Sequence, residues 1–531
     1  PCACWMCRPM PVNLDHEGNP WRENAMQLTA ERLMSCLVEL WPDCRRALAE
    51  VTLPATLRLE LDSRQLAAGD VFVAVPGIAA DGRDFIPAAL DAGVSLVLAH
   101  DDAAPGTDDP RVLWLPGLRE AQGELGQMLF AVPRDLELIG VTGTNGKSSV
   151  THYVADLSIA LGREAGLIGT LGHGRPGRLE AGRLTTPGPL ALQAALGELA
   201  ASGVGRVAME VSSHALEQGR LDGCHVHAAV FTNLSRDHLD YHGSMAAYAA
   251  AKARLFSRHE LELAVVNGDD PLARLMLAGV HRHVRVLGVG GDASVTLRII
   301  DWVPHAQGQR ALVATPEGEQ VLELGLMGRF NLDNVLLAIA TLYGRGHALS
   351  ELFSVASELA PVPGRMQCLT RADGPTVVID YAHSPDALDN ALSALRAHLP
   401  GDGRLWCLFG CGGDRDPGKR PLMASVAGRL ADVVMVTDDN PRSEDAAVIR
   451  AQVLAGLSDI ERGGVLELAG RGKAIARVLA EAGSDDVILI AGKGHEDYQE
   501  VAGVRHAFSD LAEAERALAA RSRQGHRGGS R

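Results

Sequence analysis

The chain has 531 residues, of which 47% are hydrophobic, and its formal net charge at pH 7 is −16. This length exceeds what one hydrophobic core usually holds and favours about three domains. The acidic balance argues against a general nucleic-acid binder, and the lack of any run of about 18 apolar residues argues against a membrane span.

The nine cysteines are scattered along the chain, which is typical of reduced thiols in a cytosolic enzyme. We therefore expect a cytoplasmic protein. Residues 1–25 show neither a helical nor a strand period and carry no secretory signal. We expect a disordered leader or an over-extended start there.

The block from 26 to 132 is predicted to be a small N-terminal α/β domain. Short apolar segments, such as 70–75 and 93–98, alternate with turns rich in glycine, proline and aspartate. This alternation is typical of strands and helices that follow one another along the chain.

The block from 133 to 360 opens with a strand–helix–strand pattern. The apolar run Leu136–Val141 predicts a buried strand, a glycine-rich loop follows, and a helix is predicted over 150–161. Another strand at Ala165–Gly169 completes a unit that implies a parallel sheet. Further strands are predicted, one of them ending at Glu210.

The block from 361 to 531 repeats this pattern. Its apolar runs predict strands separated by helical stretches, at 377–379, 406–409, 433–436 and 487–490. Such an order favours a second doubly wound domain of Rossmann type.

The glycine-rich loop at 142–149 reads TGTNGKSS and lies between a predicted strand and a predicted helix. Glycines let backbone N–H groups face a phosphate, and the positive end of the helix dipole adds to the attraction. Lys147 can reach the β- and γ-phosphates of ATP, and Ser148 can bind Mg²⁺. The strict Walker pattern would have glycine where Val141 stands, so the match is loose. Kinases, GTPases and ligases all use such a loop, which therefore does not identify the reaction.

Longer motifs carry a family resemblance. They are GTNGKS (143–148), EVSSHALEQGR (210–220), NLSRDHLDYHG (233–243), YAAAKARLF (248–256), GCGGDRDPGKRP (410–421), DDNPR (438–442) and GKGHE (492–496). With these motifs the chain resembles the Mur ligase family, and within it the members that add diaminopimelate, over about residues 50 to 515. The resemblance implies an α/β protein of three domains: an N-terminal UDP-binding domain, a central P-loop domain with a parallel sheet, and a C-terminal Rossmann-like domain.

The resemblance also implies a reaction. The γ-phosphate of ATP would move to the D-glutamate side-chain carboxylate of UDP-N-acetylmuramoyl-L-alanyl-D-glutamate. The amine of meso-2,6-diaminopimelate would then attack the acyl phosphate and form an amide. Such an enzyme must shield the polyphosphate charge, align the reacting groups and keep water from the acyl phosphate.

Individual roles at the phosphate end follow from the same resemblance. The expected ATP-binding residues are Gly143, Thr144, Asn145, Gly146, Lys147, Ser148, Asn331, Asn334, Arg365 and Asp380. The expected Mg²⁺ ligands are Ser148, Glu210, His238 and Lys252, and the expected catalytic residues are Lys147, Glu210, His238 and Lys252. Because Glu210 ends a strand, its carboxylate is expected to point into the ligand crevice.

Lys252 is the least obvious member of this set. On spacing alone it would be a solvated surface lysine among alanines. The resemblance implies instead that CO₂ converts it to a carbamate. That change turns a cation into an anion that can bind a metal ion.

The substrate residues are implied in three groups. The UDP end is expected on Leu61, Ser63 and the loop 77–80, where Ile78 and Ala79 offer only backbone contacts. Contacts to the MurNAc-dipeptide are expected from Thr185, Thr186, Ser212, Gln218 and Arg220. The added amino acid is expected on Arg415, Asp439, Asn440, Pro441, Arg442, Gly492 and Glu496.

Several alternatives stay open at this point. An arginine fork binds a carboxylate bidentately, so Arg442 favours diaminopimelate, whose second carboxylate lysine lacks. A lysine-adding or D-Ala-D-Ala-adding Mur ligase and a folylpolyglutamate synthase-like ligase are the nearest rivals. A P-loop switch protein is the rival from another class, although we find no Asn-Lys-x-Asp motif. We expect a monomer.

Overall fold

The computed structural model describes residues 27–77, 80–102, 107–182, 184–371, 374–458 and 464–528. The predictions on residues 1–25 and on Ile78 and Ala79 concern positions outside the described residues. The chain divides into two compact units. One comprises the residues up to Pro133 together with Gly188–Ala201 and Gly219–Cys224, and the other comprises Arg134–Pro187, Ser202–Gln218 and the residues from His225 onward.

Strands and helices alternate along most of the chain. The strands are β1 (Gln27–Thr29), β2 (Thr56–Glu60), β3 (Val71–Ala74), β4 (Leu96–Asp101), β5 (Val112–Pro116), β6 (Glu137–Thr142), β7 (Ala165–Gly169), β8 (Gly172–Arg175), β9 (Arg178–Glu180), β10 (Arg206–Glu210), β11 (Val226–Phe231), β12 (Leu263–Asn267), β13 (Arg285–Gly290), β14 (Leu297–His305), β15 (Gly308–Thr315), β16 (Gly318–Leu324), β17 (Gln367–Leu369), β18 (Thr376–Asp380), β19 (Leu405–Phe409), β20 (Val433–Val436), β21 (Leu466–Glu467), β22 (Val487–Ala491), β23 (Tyr498–Val501) and β24 (Val504–Ala507).

The α-helices connect these strands. They are α1 (Ala30–Leu40), α2 (Arg45–Leu48), α3 (Ile86–Asp91), α4 (Leu118–Leu129), α5 (Lys147–Ala160), α6 (Pro189–Ala201), α7 (Ser213–Glu217), α8 (Leu239–His242), α9 (Met245–Ala253), α10 (Ala273–Met276), α11 (Arg329–Gly344), α12 (Leu349–Ala356), α13 (Pro385–His398), α14 (Lys419–Leu430), α15 (Ala446–Leu454), α16 (Arg471–Glu481) and α17 (Asp510–Gly528).

The first unit is built on a sheet of order β1-β2-β3-β4-β5. Strands β2 to β5 are parallel, and β1 is an antiparallel edge strand. Leucines of α1, α4 and α6 pack on one face, and Phe72, Ile86 and Val97 form a second cluster. All four residues of β3 are buried, as expected for a parallel strand covered on both faces.

The second unit contains a long central sheet of order β16-β15-β14-β13-β12-β11-β6-β10-β7-β8-β9. Strands β7, β10, β6, β11, β12 and β13 are parallel neighbours, and α5 and α11 supply apolar side chains to one core cluster with them. The predicted parallel sheet is therefore present. The antiparallel extensions β14–β16 and β8–β9 were not predicted from the sequence.

A second sheet in this unit has the order β17-β18-β22-β19-β20-β21. All of its pairings are parallel except that of the edge strand β17. Alternate residues of β18 enter clusters on opposite faces: Val378 packs with α13 and α14, and Val377 packs with α16 and α17. This doubly wound arrangement agrees with the predicted Rossmann-like block.

The two sheets bring the sequence motifs to their carboxyl ends. The phosphate loop follows β6, which lies between β10 and β11 in the central sheet. The motifs 410–421, 438–442 and 492–496 follow β19, β20 and β22. Ligands bind such sheets outside these strand ends, at the point where the strand order reverses. Among the described helices, none combines the length and apolar character needed to cross a membrane.

Asp510 anchors the last helix through a buried ion pair, and we expect its removal to destabilise the protein. Both oxygens of Asp510 accept 2.7 Å hydrogen bonds from Arg471, and both side chains are fully buried. Asp510→Ala leaves a buried charge without its partner and should lower the free energy of unfolding by about 3–5 kcal/mol. Chemical denaturation measures this loss. Glu515→Ala, on an exposed position of the same helix, is the control and should change stability little.

Candidate active site

The phosphate loop has a conformation that only glycine fits. Gly143 and Gly146 have φ angles of +152° and +85°. A Cβ at Gly143 would lie 1.8 Å from the hydroxyl oxygen of Thr232, and one at Gly146 would lie 2.6 Å from the amide oxygen of Asn334. The helix α5 begins directly at Lys147, earlier than the predicted start at 150. The loop thus presents a helix N-terminus and a close backbone surface to an anion.

The segment after β11 holds this loop in place. The N–H group of Thr144 donates to the carbonyl of Asn233 (2.8 Å), and the N–H group of Asn145 donates to the Asn233 side chain (2.9 Å). The hydroxyl of Thr232 donates to the carbonyl of Asn145 (2.6 Å). Neighbouring strand ends therefore fix the loop before any ligand binds.

Two lysines meet at one carbonyl of the loop. Lys147 Nζ donates to the carbonyl oxygens of Gly143 (3.0 Å) and Thr144 (2.8 Å), and Lys252 Nζ donates to Gly143 from α9 (2.8 Å). Burial lowers the pKa of Lys147, while the Glu210 carboxylate acts in the opposite direction. Both amines lie where the polyphosphate of a nucleotide would lie in such a loop.

Lys252 is buried, with 1% of its surface exposed. The interpretation as a solvated surface lysine is therefore wrong, because one face of α9 packs against the loop. Its Nζ atom also lies 4.5 Å from the centre of the Tyr248 ring. Burial lowers the pKa of the Lys252 amine well below its usual value, and the charge of Lys147 lowers it further.

Ser148 and Glu210 form an oxygen pair beside the loop. Ser148 Oγ donates to Glu210 Oε1 (2.9 Å), and both residues are buried. Thr170 holds the carboxylate through its N–H group (2.8 Å to Oε1) and its hydroxyl (3.1 Å to Oε2). The strand end thus points Glu210 into the crevice. Two adjacent oxygens of this kind suit a hard cation such as Mg²⁺.

His238 lies in the next segment and is more open. Its side chain is 47% exposed, and its Nε2 atom lies 3.4 Å from Asp237 Oδ2. The backbone has a φ of +52°, an uncommon value that fixes the direction of the side chain. The ring contacts His214 and Tyr248, with centroid distances of 4.9 and 6.1 Å.

Arg365 reaches the phosphate loop from the segment between α12 and β17, just before the second sheet begins. Its Nη2 atom lies 3.5 Å from Ser148 Oγ, and its guanidinium lies 4.5 Å from the centre of the Tyr381 ring. Asp380, at the end of β18, accepts a 2.8 Å hydrogen bond from the N–H group of Met366. Burial raises the pKa of Asp380, and Arg365 opposes this shift.

The two asparagines of α11 are buried beneath the loop. Asn331 donates to the carbonyl of Met327 (2.8 Å) and accepts from the Tyr153 hydroxyl (3.4 Å). Asn334 packs against Gly146. Asn334 thus supports the loop directly, whereas Asn331 is held by α5 and by the segment before α11. The nucleotide contacts of both residues remain predictions.

Most of the residues predicted to contact the MurNAc-dipeptide lie around the end of β10. Thr186 donates to the carbonyl of Glu210 (2.8 Å) and accepts from the N–H group of Ser212 (3.1 Å). The hydroxyl of Thr185 lies 3.1 Å from that of Thr170. Gln218 donates to the Tyr241 hydroxyl (3.0 Å). The structure therefore brings Thr185, Thr186 and Ser212 together beside Glu210, whereas Gln218 bonds to the segment after β11.

The remaining predicted contacts lie in the first unit. Arg220 belongs to it, as do Leu61 and Ser63. The N–H groups of Leu61 and Asp62 both donate to Glu60 Oε1, at 2.9 Å each. These two backbone donors are therefore occupied by a carboxylate of the chain itself.

The loops after β20 and β22 form a polar cluster, here called the amino-acid cluster, of Asp439, Asn440, Arg442, Lys493 and Glu496. Asn440 Nδ2 donates to Glu496 Oε2 (2.9 Å), and Arg442 Nη1 donates to the carbonyl of Gly413 (2.7 Å). Asp439 Oδ1 is buried and accepts no hydrogen bond from the described residues. It forms an ion pair with Lys493 Nζ at 3.6 Å, which is beyond hydrogen-bond distance, so the oxygen still lacks a donor.

The other members of the predicted amino-acid set surround this cluster. Pro441 lies between Asn440 and Arg442, and Gly492 has a φ of +116° at the end of β22. Arg415 is exposed on the loop after β19. The structure thus places one arginine in the cluster and leaves the other open to solvent.

Comparison with known proteins agrees with this geometry. Family models match residues 141–342 (Mur ligase middle domain), 364–494 (Mur ligase, glutamate ligase domain) and 58–124 (Mur ligase family, catalytic domain). A relative from Pseudomonas putida is 50% identical over 482 residues, which cover 88% of this chain and 96% of that protein. This chain belongs to the Mur ligase family. A relative from Pseudomonas aeruginosa is 50% identical over 467 residues, covering 87% of this chain and 95% of that protein.

The relatives from both organisms are named UDP-N-acetylmuramoyl-L-alanyl-D-glutamate–2,6-diaminopimelate ligase. A solved structure with the same name is 37% identical, with a TM-score of 0.64, and covers 87% of this chain and 95% of its own. A MurF structure from Acinetobacter baumannii shares the fold at 16% identity and a TM-score of 0.63, covering 93% of this chain and 98% of its own.

Family membership confirms two predictions. The chain has the three-domain α/β fold of a Mur ligase, and it is an ATP-dependent ligase that forms amide bonds. The P-loop switch and folylpolyglutamate synthase alternatives are not favoured. The exact domain boundaries at 132 and 360 and the roles of single residues stay predictions.

Some residues of this Mur ligase site had no assigned role in the sequence interpretation. Asn233, Tyr248 and Lys493 lie inside quoted motifs, so the motifs themselves were the available signal. Thr170 lies outside every motif, and only the structure reveals that it holds Glu210.

Gly143→Ala should disrupt the phosphate loop. The added Cβ would collide with Thr232, so the loop backbone must shift, and a shift of about 1 Å at a reacting group costs about 100-fold in rate. ATP-dependent phosphate release measures the loss. Gly162→Ala is the matched control, because Gly162 also has a positive φ (+82°) but open space around it. It should cost about 1–2 kcal/mol of stability and little activity. An equal loss of activity in both variants would contradict the argument.

Proposed function

We propose that this Mur ligase adds meso-2,6-diaminopimelate to UDP-N-acetylmuramoyl-L-alanyl-D-glutamate, with conversion of ATP to ADP and phosphate. It acts as a monomer in cytoplasmic peptidoglycan precursor synthesis. The names of relatives that are 50% identical support this choice. The main structural observation in favour of diaminopimelate is that the amino-acid cluster, at the ends of β20 and β22, contains both positive and negative side chains.

Diaminopimelate has two ammonium groups and two carboxylates, and the amino-acid cluster offers partners for both kinds of group. Asp439 Oδ1, which accepts no hydrogen bond from the described residues, and the carboxylate of Glu496 attract an ammonium. Arg442 donates from Nη1 to the carbonyl of Gly413, and its Nε lies 4.0 Å from Glu500 Oε2. Its remaining N–H groups are the donors proposed for a carboxylate of the ligand. Lysine lacks the second carboxylate and would leave these donors without a charged partner.

The phosphate loop and its lysines bind the nucleotide. A carboxylate oxygen of the D-glutamate residue attacks the γ-phosphorus, the bond to the β-phosphate oxygen breaks, and ADP leaves. The positive charges of Lys147 and Arg365 lie near Gly143 and Ser148, where they oppose the negative charge on the transferring group. The amine of diaminopimelate then attacks the acyl carbon and loses a proton, and phosphate leaves.

The residues present fit a magnesium ion. Ser148 Oγ and Glu210 Oε1 are buried oxygens 2.9 Å apart, the donor type that Mg²⁺ prefers. His238 adds an accessible imidazole. When bound, Mg²⁺ would neutralise polyphosphate charge. Thr170 keeps the Glu210 carboxylate oriented toward Ser148, so this part of the site is preorganised.

Lys252 is proposed to carry a carbamate. Its amine is buried beside Lys147, and the lowered pKa favours the neutral form that can attack CO₂. The nitrogen forms a bond to the carbon of CO₂ and releases a proton, which leaves a negative charge. The modification replaces repulsion from Lys147 with attraction, and an oxygen ligand becomes available where an ammonium stood.

One assay tests the proposed function. Phosphate release is measured with ATP, Mg²⁺ and UDP-N-acetylmuramoyl-L-alanyl-D-glutamate, with diaminopimelate, lysine or D-Ala-D-Ala offered separately. We expect release with diaminopimelate only. Equal release with lysine would overturn the choice of amino acid, and no release with any of them would overturn the assignment.

Arg442→Met tests the carboxylate contact in the same assay. Losing charge-assisted hydrogen bonds should raise the KM for diaminopimelate about 10- to 100-fold. The KM for ATP should stay constant. Arg516→Met, an exposed arginine of α17, is the control and should leave all constants unchanged.

Lys252→Ala tests the carbamate. Activity should fall about 100- to 1,000-fold, because a charged group that orients the reacting phosphoryl is lost. Short carboxylic acids added to this variant should restore part of the activity. The unmodified chain, equilibrated with ¹³C-bicarbonate, should show a carbamate carbon signal by NMR that Lys252→Ala lacks. Undiminished activity of the variant without added anions would refute the carbamate role.

A further inference from the structure

Lys493 lies in the loop after β22 and has no surface exposed to solvent. Its Nζ atom donates to Asn440 Oδ1 (3.0 Å) and to Glu496 Oε2 (3.0 Å). Because Asn440 also donates to Glu496 Oε2, the three side chains close a ring of hydrogen bonds. A buried lysine is uncommon and is retained only with such partners.

This ring of hydrogen bonds fixes the orientation of the Asn440 and Glu496 side chains. Asn440 Oδ1 accepts from Lys493 and from the N–H group of Glu500 (3.0 Å), so its amide cannot flip without losing both bonds. Glu496 Oε2 accepts from Lys493 and Asn440. The other oxygen, Oε1, takes no part in this ring.

Lys493 also sets the charge of the amino-acid cluster. Its Nζ atom lies 3.6 Å from Asp439 Oδ1 and 3.0 Å from Glu496 Oε2, so one cation offsets part of the charge of two carboxylates. Glu500 lies 4.0 Å from Arg442, and the buried Arg471, which is paired with Asp510, also acts on Asp439 and Glu496. Removing Lys493 takes one positive charge from these surroundings. The cluster would then attract lysine, a net cation, more strongly relative to diaminopimelate, whose own charges cancel at pH 7.

We propose that Lys493 is a positioning and specificity-determining residue for the added amino acid. It orients Asn440 and Glu496 and makes the amino-acid cluster electrostatically selective against lysine. This inference rests on the proposed function, which assigns the cluster to the amino acid.

The test compares Lys493→Met with Lys473→Met, an exposed lysine of α16. For each full-length variant, KM is measured for ATP, UDP-N-acetylmuramoyl-L-alanyl-D-glutamate and diaminopimelate, and kcat/KM is measured for diaminopimelate and lysine. For Lys493→Met we expect the KM for diaminopimelate to rise about 10- to 100-fold, the loss typical of a charged hydrogen-bonding group. We expect the other two KM values to hold and the preference for diaminopimelate over lysine to fall. Lys473→Met should match the unmodified protein.

A second variant separates charge from hydrogen bonding and guards against misfolding. Lys493→Gln keeps a donor but removes the charge, so it should lose preference over lysine with a smaller rise in KM. It replaces Lys493→Met if thermal unfolding shows that the methionine variant does not fold. An unchanged KM and preference in a folded variant would overturn the inference, as would an equal rise in all three KM values. Failure of the unmodified protein to use diaminopimelate would instead overturn the proposed function, and this inference with it.

Discussion

The carbonyl oxygen of Gly143 accepts hydrogen bonds from two lysines, and this shared acceptor sets the electrostatics of the site. Lys147 and Lys252 come from different helices and meet there because the loop is folded tightly against Thr232 and Asn233. Two ammonium groups on one carbonyl repel each other in a buried place. Negative charge would relieve this repulsion, and both the polyphosphate of ATP and the proposed carbamate on Lys252 would supply it.

The position of that carbonyl follows from the central sheet. Because β6 lies between β10 and β11, the segments after all three strands converge on the loop. Each contributes a different kind of group: a helix N-terminus after β6, the carboxylate of Glu210 at the end of β10, and the side chain of Asn233 after β11. These residues follow buried parallel strands directly, without long loops. The packed core of the sheet therefore holds the site in place.

The same physics explains which parts of the fold the sequence could predict. Strands buried on both faces are continuous apolar runs, so β7 and β20 were predicted with the bounds that the structure has. The strand β14 is buried only near its start and exposes most of the rest, so it carries no comparable run. The extension β14–β16 was therefore missed.

Site residues that directly follow a strand could be predicted from the sequence. Residues whose burial depends on which face of a helix they occupy were harder to predict. The Ser148–Glu210 pair could be predicted because Ser148 lies in the first turn of the helix after β6 and Glu210 ends the neighbouring strand β10. Lys252 is flanked by alanines, so its helix has no marked apolar face that would indicate burial. The contacts of Lys493 depend on two loops whose relative position is set by the pairing of β20 and β22 with β19, which no local pattern encodes.

The sites proposed for phosphoryl transfer and for amino-acid selection lie at the ends of different sheets, and Arg365 contacts the first from beside the second. Its guanidinium stacks on Tyr381, next to the end of β18, and its Nη2 atom reaches Ser148 at 3.5 Å. A hydrogen bond of that length is at the limit of the useful range, so a small displacement of the second sheet removes it. The distance between the Arg365 charge and the phosphate loop therefore depends on the position of the second sheet relative to that loop. Strand β18 pairs with β22, and the loop after β22 contains Lys493 and Glu496. The amino-acid cluster and the Arg365 guanidinium are therefore attached to the same sheet.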